Sequence, residues 1–151
     1  MTGFRDIADA DIEQVVALWQ TCNLTRPWND PYRDIAFARQ AKTSTILVRE
    51  QDGRIAATVM AGHDGHRGTL YYVAVDPLVQ RQGLGRAAVR AAEAWLAERG
   101  VWKVNLLVRR ENATVSGFYQ ALGYEVNPVI CLGRKIEDHP ALPSTVAGQA
   151  Q

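Results

Sequence analysis

Hydrophobic and polar residues follow two different periods along this chain of 151 residues. Apolar residues that recur every three or four positions predict amphipathic helices, whereas short apolar runs bounded by turn residues predict strands. The helical pattern covers residues 8–21, 32–41, 85–99 and 112–122, and the strand pattern covers residues 4–7, 45–50, 54–61, 70–75, 101–108, 124–126 and 129–132. Helices and strands mixed in this order predict an α/β (α+β mixed) fold built on one mixed sheet.

The pattern fits a single domain that covers residues 1–137, because neither an internal repeat nor a second set of apolar elements follows it. Residues 138–151 contain prolines, small residues and few apolar ones, so they predict a flexible C-terminal tail.

The composition excludes several classes of protein. Seventeen basic and sixteen acidic side chains give a net charge of +1, which argues against a nucleic-acid partner. No apolar run is long enough to span a membrane, and the first residues lack the apolar core of a signal peptide, so a cytoplasmic location is expected. Cys22 and Cys131 lie far apart and fit no metal-ligand spacing, so reduced thiols and no metal are expected.

The most informative segment is 75–86, where an apolar strand passes through a basic loop into a helix. Gly83 and Gly85 let backbone N–H groups approach a phosphate closely, and a helix start offers N–H donors and the positive end of its dipole. Arg81 and Arg86 add positive charge at the same place. The segment therefore predicts a site for a pyrophosphate.

Two motifs together resemble those of the GNAT N-acetyltransferase superfamily, and the resemblance extends from Phe4 to about Ile136. The first motif is Gln80-x-x-Gly83-x-Gly85, preceded by Val75-Asp76-Pro77. The second is Asn112-Ala113-x-x-x-x-Phe118-Tyr119-x-x-Leu122-Gly123-Tyr124. Residues 26–31 and 64–68 also resemble a small, YpeA-like bacterial branch of this superfamily.

The resemblance implies a GNAT-like fold, a mixed and mostly antiparallel sheet with splayed central strands and about four flanking helices. It also implies acetyl-CoA as co-substrate, with its pantetheine arm along the edge of the strand at 73–75 and its pyrophosphate on the loop. The residues expected to bind acetyl-CoA are Val73, Ala74, Val75, Gln80, Arg81, Gln82, Gly83, Leu84, Gly85, Arg86, Asn112 and Tyr119. Asn112 is open to a second interpretation, as the N-cap of the helix that follows it.

The activity that the resemblance implies is transfer of an acetyl group to a primary amine, by direct attack in a ternary complex. A backbone N–H near Val73 or Ala74 would polarise the thioester carbonyl. Tyr119 is the expected acid for the CoA thiolate, because a phenol near the sulfur can donate a proton to it. The alternative is a tyrosine that only packs beside Phe118.

The base that accepts the amine proton is not evident from the sequence. Members that acetylate ribosomal-protein N-termini use a glutamate where this chain has Leu107, so protein N-terminal acetylation is the alternative activity. Asp64 and His66 are candidate catalytic residues, since histidine titrates near neutrality, but Asp64-Gly65 is also typical of a hairpin turn.

The acceptor also stays open, as a small-molecule or a peptide amine. Trp28, Asp30 and Asp34 lie where the family's variable first helices shape the acceptor pocket, and a carboxylate there could hold a cationic acceptor. The structural alternatives are that Trp28 fills the core and that Asp30 caps a helix. A non-catalytic acyl-CoA-binding regulatory module is a further alternative, and pairing into a homodimer is compatible with the family.

Overall fold

The computed structural model describes residues 3–136 of the chain. The chain divides into two compact units, Met1–Leu106 and Leu107–Gln151. The first contains the sheet and three helices, and the second contains one helix among the described residues. The single domain over residues 1–137 stays a prediction, and the expected flexible tail at 138–151 lies outside the described residues.

A five-stranded sheet forms the centre of the first unit. Its strands follow one another in chain order: β1 Arg5–Asp6, β2 Ser44–Gln51, β3 Arg54–His63, β4 Gly68–Val75 and β5 Val104–Asn105. Neighbouring strands are antiparallel except β4 and β5, which are parallel. The prediction of a mixed, mostly antiparallel sheet is therefore confirmed.

Four α-helices lie among the described residues, as predicted: α1 Ile12–Thr21, α2 Pro31–Gln40, α3 Leu84–Ala97 and α4 Ala113–Ala121. The start of α2 shows how neighbouring residues specify where a helix begins. Asp30 accepts a hydrogen bond from the backbone N–H of Tyr32 at 2.9 Å, and Pro31 occupies the first helical position, where no N–H is required. Asp30 is thus a helix cap, one of the two interpretations that its sequence position allowed. None of the described helices is both long and apolar enough to cross a membrane.

The sheet buries a different set of side chains on each face. Side chains of α1 and α2, including Trp19 and Ile35, pack with Ile46, Val48 and Ala74 on one face. Residues directly opposite each other on paired strands share a face, so Met60 and its partner Tyr71 also lie on the α1/α2 face. On the other face, a Cβ at Gly68 would meet Leu96 of α3, which shows that α3 covers this side.

The predicted strands after α3 are mostly wrong. The apolar run at 101–108 forms only the two-residue β5, and residues 124–126 and 129–132 form no strand in the described part of the chain. A strand requires a partner for its backbone N–H and C=O groups, which an apolar pattern alone does not supply. Between residues 126 and 132, four large apolar side chains are each at least 76 % exposed: Val126, Val129, Ile130 and Leu132.

Candidate active site

The fourth strand contains a bulge in its middle. Thr58 of β3 lies opposite Ala74, whereas Met60 lies opposite Tyr71, so β4 has one extra residue over this stretch. Tyr72 has a φ of 52°, in the left-handed region that is costly for a residue with a Cβ. A bulge leaves the extra residue outside the ladder, so backbone groups near Tyr72 and Val73 are released from pairing with β3.

The outer edge of β4 is open beside this bulge. β5 pairs with β4 only at Gly68 and Thr69, and no strand within residues 3–106 pairs with the rest of that edge. The sheet therefore splays after two residue pairs. The predicted contacts Val73, Ala74 and Val75 lie on this edge, where an extended ligand that carries amides can bind as an additional strand.

The loop after β4 runs through two left-handed residues into α3. Asp76 starts it by accepting a hydrogen bond from the N–H of Leu78 at 2.9 Å. Arg81 has a φ of 68° and Gly83 a φ of 76°, and Gly83 is the N-cap of α3 without a side-chain cap. A Cβ at Gly83 would meet no atom within 4 Å, so the space in front of the helix is open to a ligand.

The helix start offers a set of N–H donors at the same place. The N–H of Ala87 donates to the carbonyl of Gly83 at 3.0 Å, so the N–H groups of Leu84, Gly85 and Arg86 precede the first such bond of the helix. These donors and the helix dipole favour an anion, and the exposed Arg86 adds charge. The arrangement fits the pyrophosphate that the sequence predicts.

The other predicted residues of this loop lie at its exposed surface. Gln80, Arg81 and Gln82 are all exposed. Gln82 accepts a hydrogen bond from Nε2 of Gln51 at 3.3 Å, which ties the loop to the end of β2. One hydrogen bond thus links the loop to the sheet, and the three residues are open to solvent.

Two predicted residues lie in the second unit, on α4. Asn112 is the N-cap of this helix, and its Oδ1 accepts a hydrogen bond from the N–H of Val115 at 3.4 Å. Tyr119 makes edge-to-face contacts with Phe118 and Tyr124, with centroid distances of 5.0 and 5.7 Å. Burial raises the pKa of Tyr119 to about 12, so the side chain is a neutral phenol, able to donate a proton, at ordinary pH.

Asp64 and His66 lie together in the turn between β3 and β4. Oδ1 of Asp64 accepts the backbone N–H groups of His66 and Arg67, both at 2.8 Å. These backbone hydrogen bonds, first that of Arg67, lower the pKa of Asp64. The geometry therefore favours the turn interpretation of Asp64, and the catalytic role of the pair stays a prediction.

Asn29, Asp34 and Tyr72 form a polar cluster that the sequence analysis did not predict. The Tyr72 hydroxyl donates to Oδ2 of Asp34 at 2.7 Å. Nδ2 of Asn29 donates to the same carboxylate oxygen at 2.6 Å and to the Tyr72 hydroxyl at 3.0 Å. These residues are 38 and 43 positions apart from Tyr72 along the chain, so no local motif could signal their contact.

Buried contacts support the cluster from behind. The Tyr72 ring stacks on Trp19 with centroids 3.7 Å apart and planes within 8°. The Thr58 hydroxyl accepts the indole N–H of Trp19 at 2.9 Å and donates to the carbonyl of Tyr72 at 2.9 Å. These contacts hold the left-handed backbone at Tyr72 in place.

A cleft of about 700 Å³ opens on the α1/α2 face, within the first unit. Its lining combines the exposed aromatic side chains Phe37 and Tyr71 with polar groups, among them Ser44, Arg67 and Asn105. This volume lies in the range of small-molecule sites.

Fold and loop fit the class of protein that the motifs predict, an acyltransferase that binds a coenzyme A thioester. Comparisons with known proteins support this class. The sequence model of the acetyltransferase (GNAT) family matches residues 12–124. The acetyltransferase YE1169 of Yersinia enterocolitica is 40 % identical over 132 residues, which cover 87 % of this chain and 94 % of that protein.

Solved structures share the fold at low sequence identity. The structure of AAC(6')-Iy with the bisubstrate analogue CoA-S-monomethyl-acetylneamine has a TM-score of 0.75 at 18 % identity, covering 87 % of this chain and 96 % of that one. Glucosamine-6-phosphate N-acetyltransferase from Arabidopsis thaliana has a TM-score of 0.69 at 22 % identity, covering 89 % and 97 %.

This chain belongs to the acetyltransferase (GNAT) family. The predicted superfamily and fold class are confirmed, and the family makes the protein an acetyl-CoA-dependent acetyltransferase. The narrower YpeA-like branch stays a prediction.

Proposed function

We propose that this protein is an N-acetyltransferase that transfers the acetyl group of acetyl-CoA to a primary amine by direct attack in a ternary complex. The observation that carries this proposal is the course of β4, which has a bulge at Tyr72, an open edge and then the glycine-started helix α3. This order offers successive sites for a thioester, an amide-rich arm and a pyrophosphate.

Backbone groups do most of the binding of acetyl-CoA in this proposal. The edge from Val73 to Val75 pairs with the pantetheine arm, and a backbone N–H of Val73 or Ala74 polarises the thioester carbonyl. The pyrophosphate lies on the N–H groups from Arg81 to Arg86, with Gln80 and Gln82 at the rim of the loop. Asn112 contacts the CoA arm in addition to its role as a helix cap.

The chemistry then requires three proton transfers, two from the nitrogen and one to the sulfur. The ammonium loses one proton, and the nitrogen lone pair forms a bond to the acetyl carbon as the C–S bond breaks. The nitrogen loses a second proton as the amide forms, and the CoA sulfur gains one from Tyr119. Of the two protons that leave the nitrogen, one restores the Tyr119 phenol through water and the other is released to solvent. Positioning of amine and thioester supplies much of the rate.

A small-molecule amine is the acceptor that we favour over a peptide. The cleft of about 700 Å³ suits a small ligand. Two fold neighbours are named for small amines, an aminoglycoside N-acetyltransferase and a glucosamine-6-phosphate N-acetyltransferase. Leu107 replaces the glutamate that N-terminal acetylating members use, which counts against a protein N-terminus as acceptor. A cytoplasmic location and a homodimer stay predictions.

The test of this function is release of CoA thiol from acetyl-CoA across a panel of amines, amino acids and short peptides, with a control that lacks acceptor. We expect release that depends on a primary amine and an N-acetylated product in the mass spectrum. Acetyl-CoA binding without release for any acceptor, cell extract included, would instead favour a non-catalytic acyl-CoA-binding module.

A further inference from the structure

The Asn29–Asp34–Tyr72 cluster has an unused capacity to bind a cation. Oδ2 of Asp34 accepts two hydrogen bonds, from Asn29 and Tyr72, whereas Oδ1 accepts none from any described residue. The neighbouring cation Arg26 donates instead to the backbone carbonyls of Asn23 and Thr25, at 2.8 and 2.9 Å. Asp34 therefore has no salt bridge within the described part of the chain, and its charge is available to a ligand.

We propose that this cluster is the subsite that binds the ammonium group of the acceptor, with Oδ1 of Asp34 as the group that contacts it. The proposal rests on the proposed function and names the amine side of that same reaction.

The position of the cluster on β4 supports this assignment. Tyr72 is the left-handed residue of the bulge, and the next residue, Val73, is one of the two whose N–H groups are proposed to polarise the acetyl carbonyl. A carboxylate hydrogen-bonded to Tyr72 is therefore tied to the strand position at which the thioester is proposed to react. An amine bound there is oriented before it attacks.

The cluster is also built to keep its geometry and its hydrogen bonds. Stacking on Trp19 and the hydrogen bond from Thr58 fix the Tyr72 side chain and carbonyl. Burial, followed by the contact with Asp34, raises the pKa of Tyr72, so the phenol stays protonated and donates to Asp34 at neutral pH. A backbone conformation that costs energy, held by several buried contacts, is typical of a functional site.

The cleft on the α1/α2 face, which is lined by neighbours of Asp34 and Tyr72, indicates what the acceptor carries behind its amine. Phe37 lies three residues after Asp34 on α2, so the two share a helix face, and Tyr71 directly precedes Tyr72. Phe37 and Tyr71 line the cleft together with Ser44 and Asn105. The acceptor class is thus a small primary amine with an apolar or aromatic body and a few hydrogen-bonding groups.

The decisive variant is Asp34→Asn, because its amide oxygen can still accept from Tyr72 and Asn29 while the charge is lost. We expect the KM for a turned-over amine to rise about tenfold, which corresponds to about 1.4 kcal/mol of a charge-assisted contact, while the Kd for acetyl-CoA stays within about twofold. Asp30→Asn is the matched control, because Asp30 caps the helix that contains Asp34, asparagine caps α2 equally well, and one charge is again lost. Its KM should match the wild type.

A binding measurement separates this inference from the proposed activity. Calorimetric titration of the CoA-saturated protein would compare 2-phenylethylamine with 2-phenylethanol, which has the same body without the cation. We expect the wild type and Asp30→Asn to prefer the amine about tenfold, and Asp34→Asn to lose that preference.

Two results would overturn the ammonium subsite: no preference for the amine in the wild type, absence of binding included, or a preference that Asp34→Asn retains. Failure of the proposed function has a different signature. It would appear as an intact preference for the amine together with no amine-dependent release of CoA.

Discussion

The bulge of β4 at Tyr72 and the loop that follows β4 offer different kinds of groups to a ligand. After Val75, the loop at 76–86 presents backbone N–H groups and an open space in front of Gly83, with few side-chain contacts. At Tyr72, side chains from α1, α2 and β3 converge in a half-buried hydrogen-bonded cluster. A backbone site suits the part of the reaction that the whole family shares, whereas a side-chain site can differ from one member to the next.

Both the bulge and the loop contain residues with left-handed backbone, but these residues are stabilised differently. Gly83 adopts its φ of 76° without a steric cost, because it has no Cβ. Tyr72 adopts a φ of 52° against its preference and depends on Thr58 and Trp19 to hold it. The loop should therefore respond to local substitutions, and the bulge to substitutions in distant elements.

The largest expected effect is that of Gly83→Asp on acetyl-CoA binding. The side chain would occupy the open space in front of α3 and place a carboxylate where the pyrophosphate is proposed to lie, on a backbone that L-residues rarely adopt. We expect the Kd for acetyl-CoA, measured by calorimetry, to rise by about a hundredfold or more.

The chain offers a matched control in Gly53→Asp. Gly53 has a φ of 77° and open space around a Cβ, but it lies in the turn between β2 and β3. This variant carries the same backbone strain and should bind acetyl-CoA as the wild type does. Unaltered binding by Gly83→Asp would show that the loop is not the pyrophosphate site.

The same contrast explains what the sequence reveals. The loop could be predicted from the sequence because its chemistry is local: two glycines, two arginines and a helix start lie within a few residues. The cluster at Tyr72 could not be predicted from the sequence. Asp30 and Asp34 suggested a carboxylate for a cationic acceptor, but no residue near Tyr72 in the chain indicated its partners. The bulge itself is a register shift between β3 and β4, which neither strand encodes alone.

The fold class followed from the sequence for a similar reason. Each helix and hairpin through α3 is specified by its own period and its own turn residues, such as Asp30-Pro31 before α2. The apolar run at 129–132 resembled a strand equally well, yet pairing decides whether a strand forms, and a single segment contains no information about its partner.

Tyr119→Phe tests a step in which neither the bulge nor the loop takes part, the protonation of the leaving thiolate. We expect turnover to fall about ten- to hundredfold, while the Kd for acetyl-CoA changes less than about twofold, because only the proton donor is lost. The pKa of Tyr119 is raised to about 12, so the phenol is protonated below that pH. A wild-type loss of rate between about pH 6 and 9 would therefore arise from another group.

An effect of at most about twofold on turnover would remove Tyr119 as the acid. Gln120→Ala is a control on the same helix, because this exposed side chain bonds, among the described residues, only to Ser116 one turn earlier, at 3.0 Å. Its turnover should match the wild type.

Thr58→Val tests whether the bulge depends on β3. The change keeps the shape of a fully buried side chain but leaves the Trp19 N–H without its acceptor and removes a donor from the Tyr72 carbonyl. We expect the free energy of unfolding, from urea titration, to fall by about 2 kcal/mol.

Thr58→Ser is the control for this variant, since it keeps the hydroxyl and loses only a methyl group, at a cost of about 1 kcal/mol. If valine were no more destabilising than serine, the Thr58 hydroxyl would not support the bulge. Thr58 makes no hydrogen bond with the loop at 76–86, so any rise in the Kd for acetyl-CoA in Thr58→Val would come from the edge of β4 beside the bulge.

The smallest expected effect is that of Asp64→Asn on the pH dependence of turnover. The amide oxygen can still accept the N–H groups of His66 and Arg67, so the turn should persist. The pKa of Asp64 is lowered by its backbone hydrogen bonds. The stability that its carboxylate gives to the turn is therefore fully present above the usual aspartate pKa, and it is lost only as the pH falls through the lowered pKa. The pH–rate profile between about pH 5 and 9 should therefore match the wild type.

His66→Ala completes this test, because His66 is the other candidate catalytic residue of the pair. His63→Ala serves as its control, since Nδ1 of His63 accepts the N–H of Gly65 at 3.1 Å within the same turn. Loss of one arm of the pH–rate profile in His66→Ala alone would make His66 the base that accepts the amine proton. If the profiles of all three variants matched the wild type, Asp64 and His66 would have only a structural role in the turn. Asp34 would then be the remaining candidate for contact with the amine.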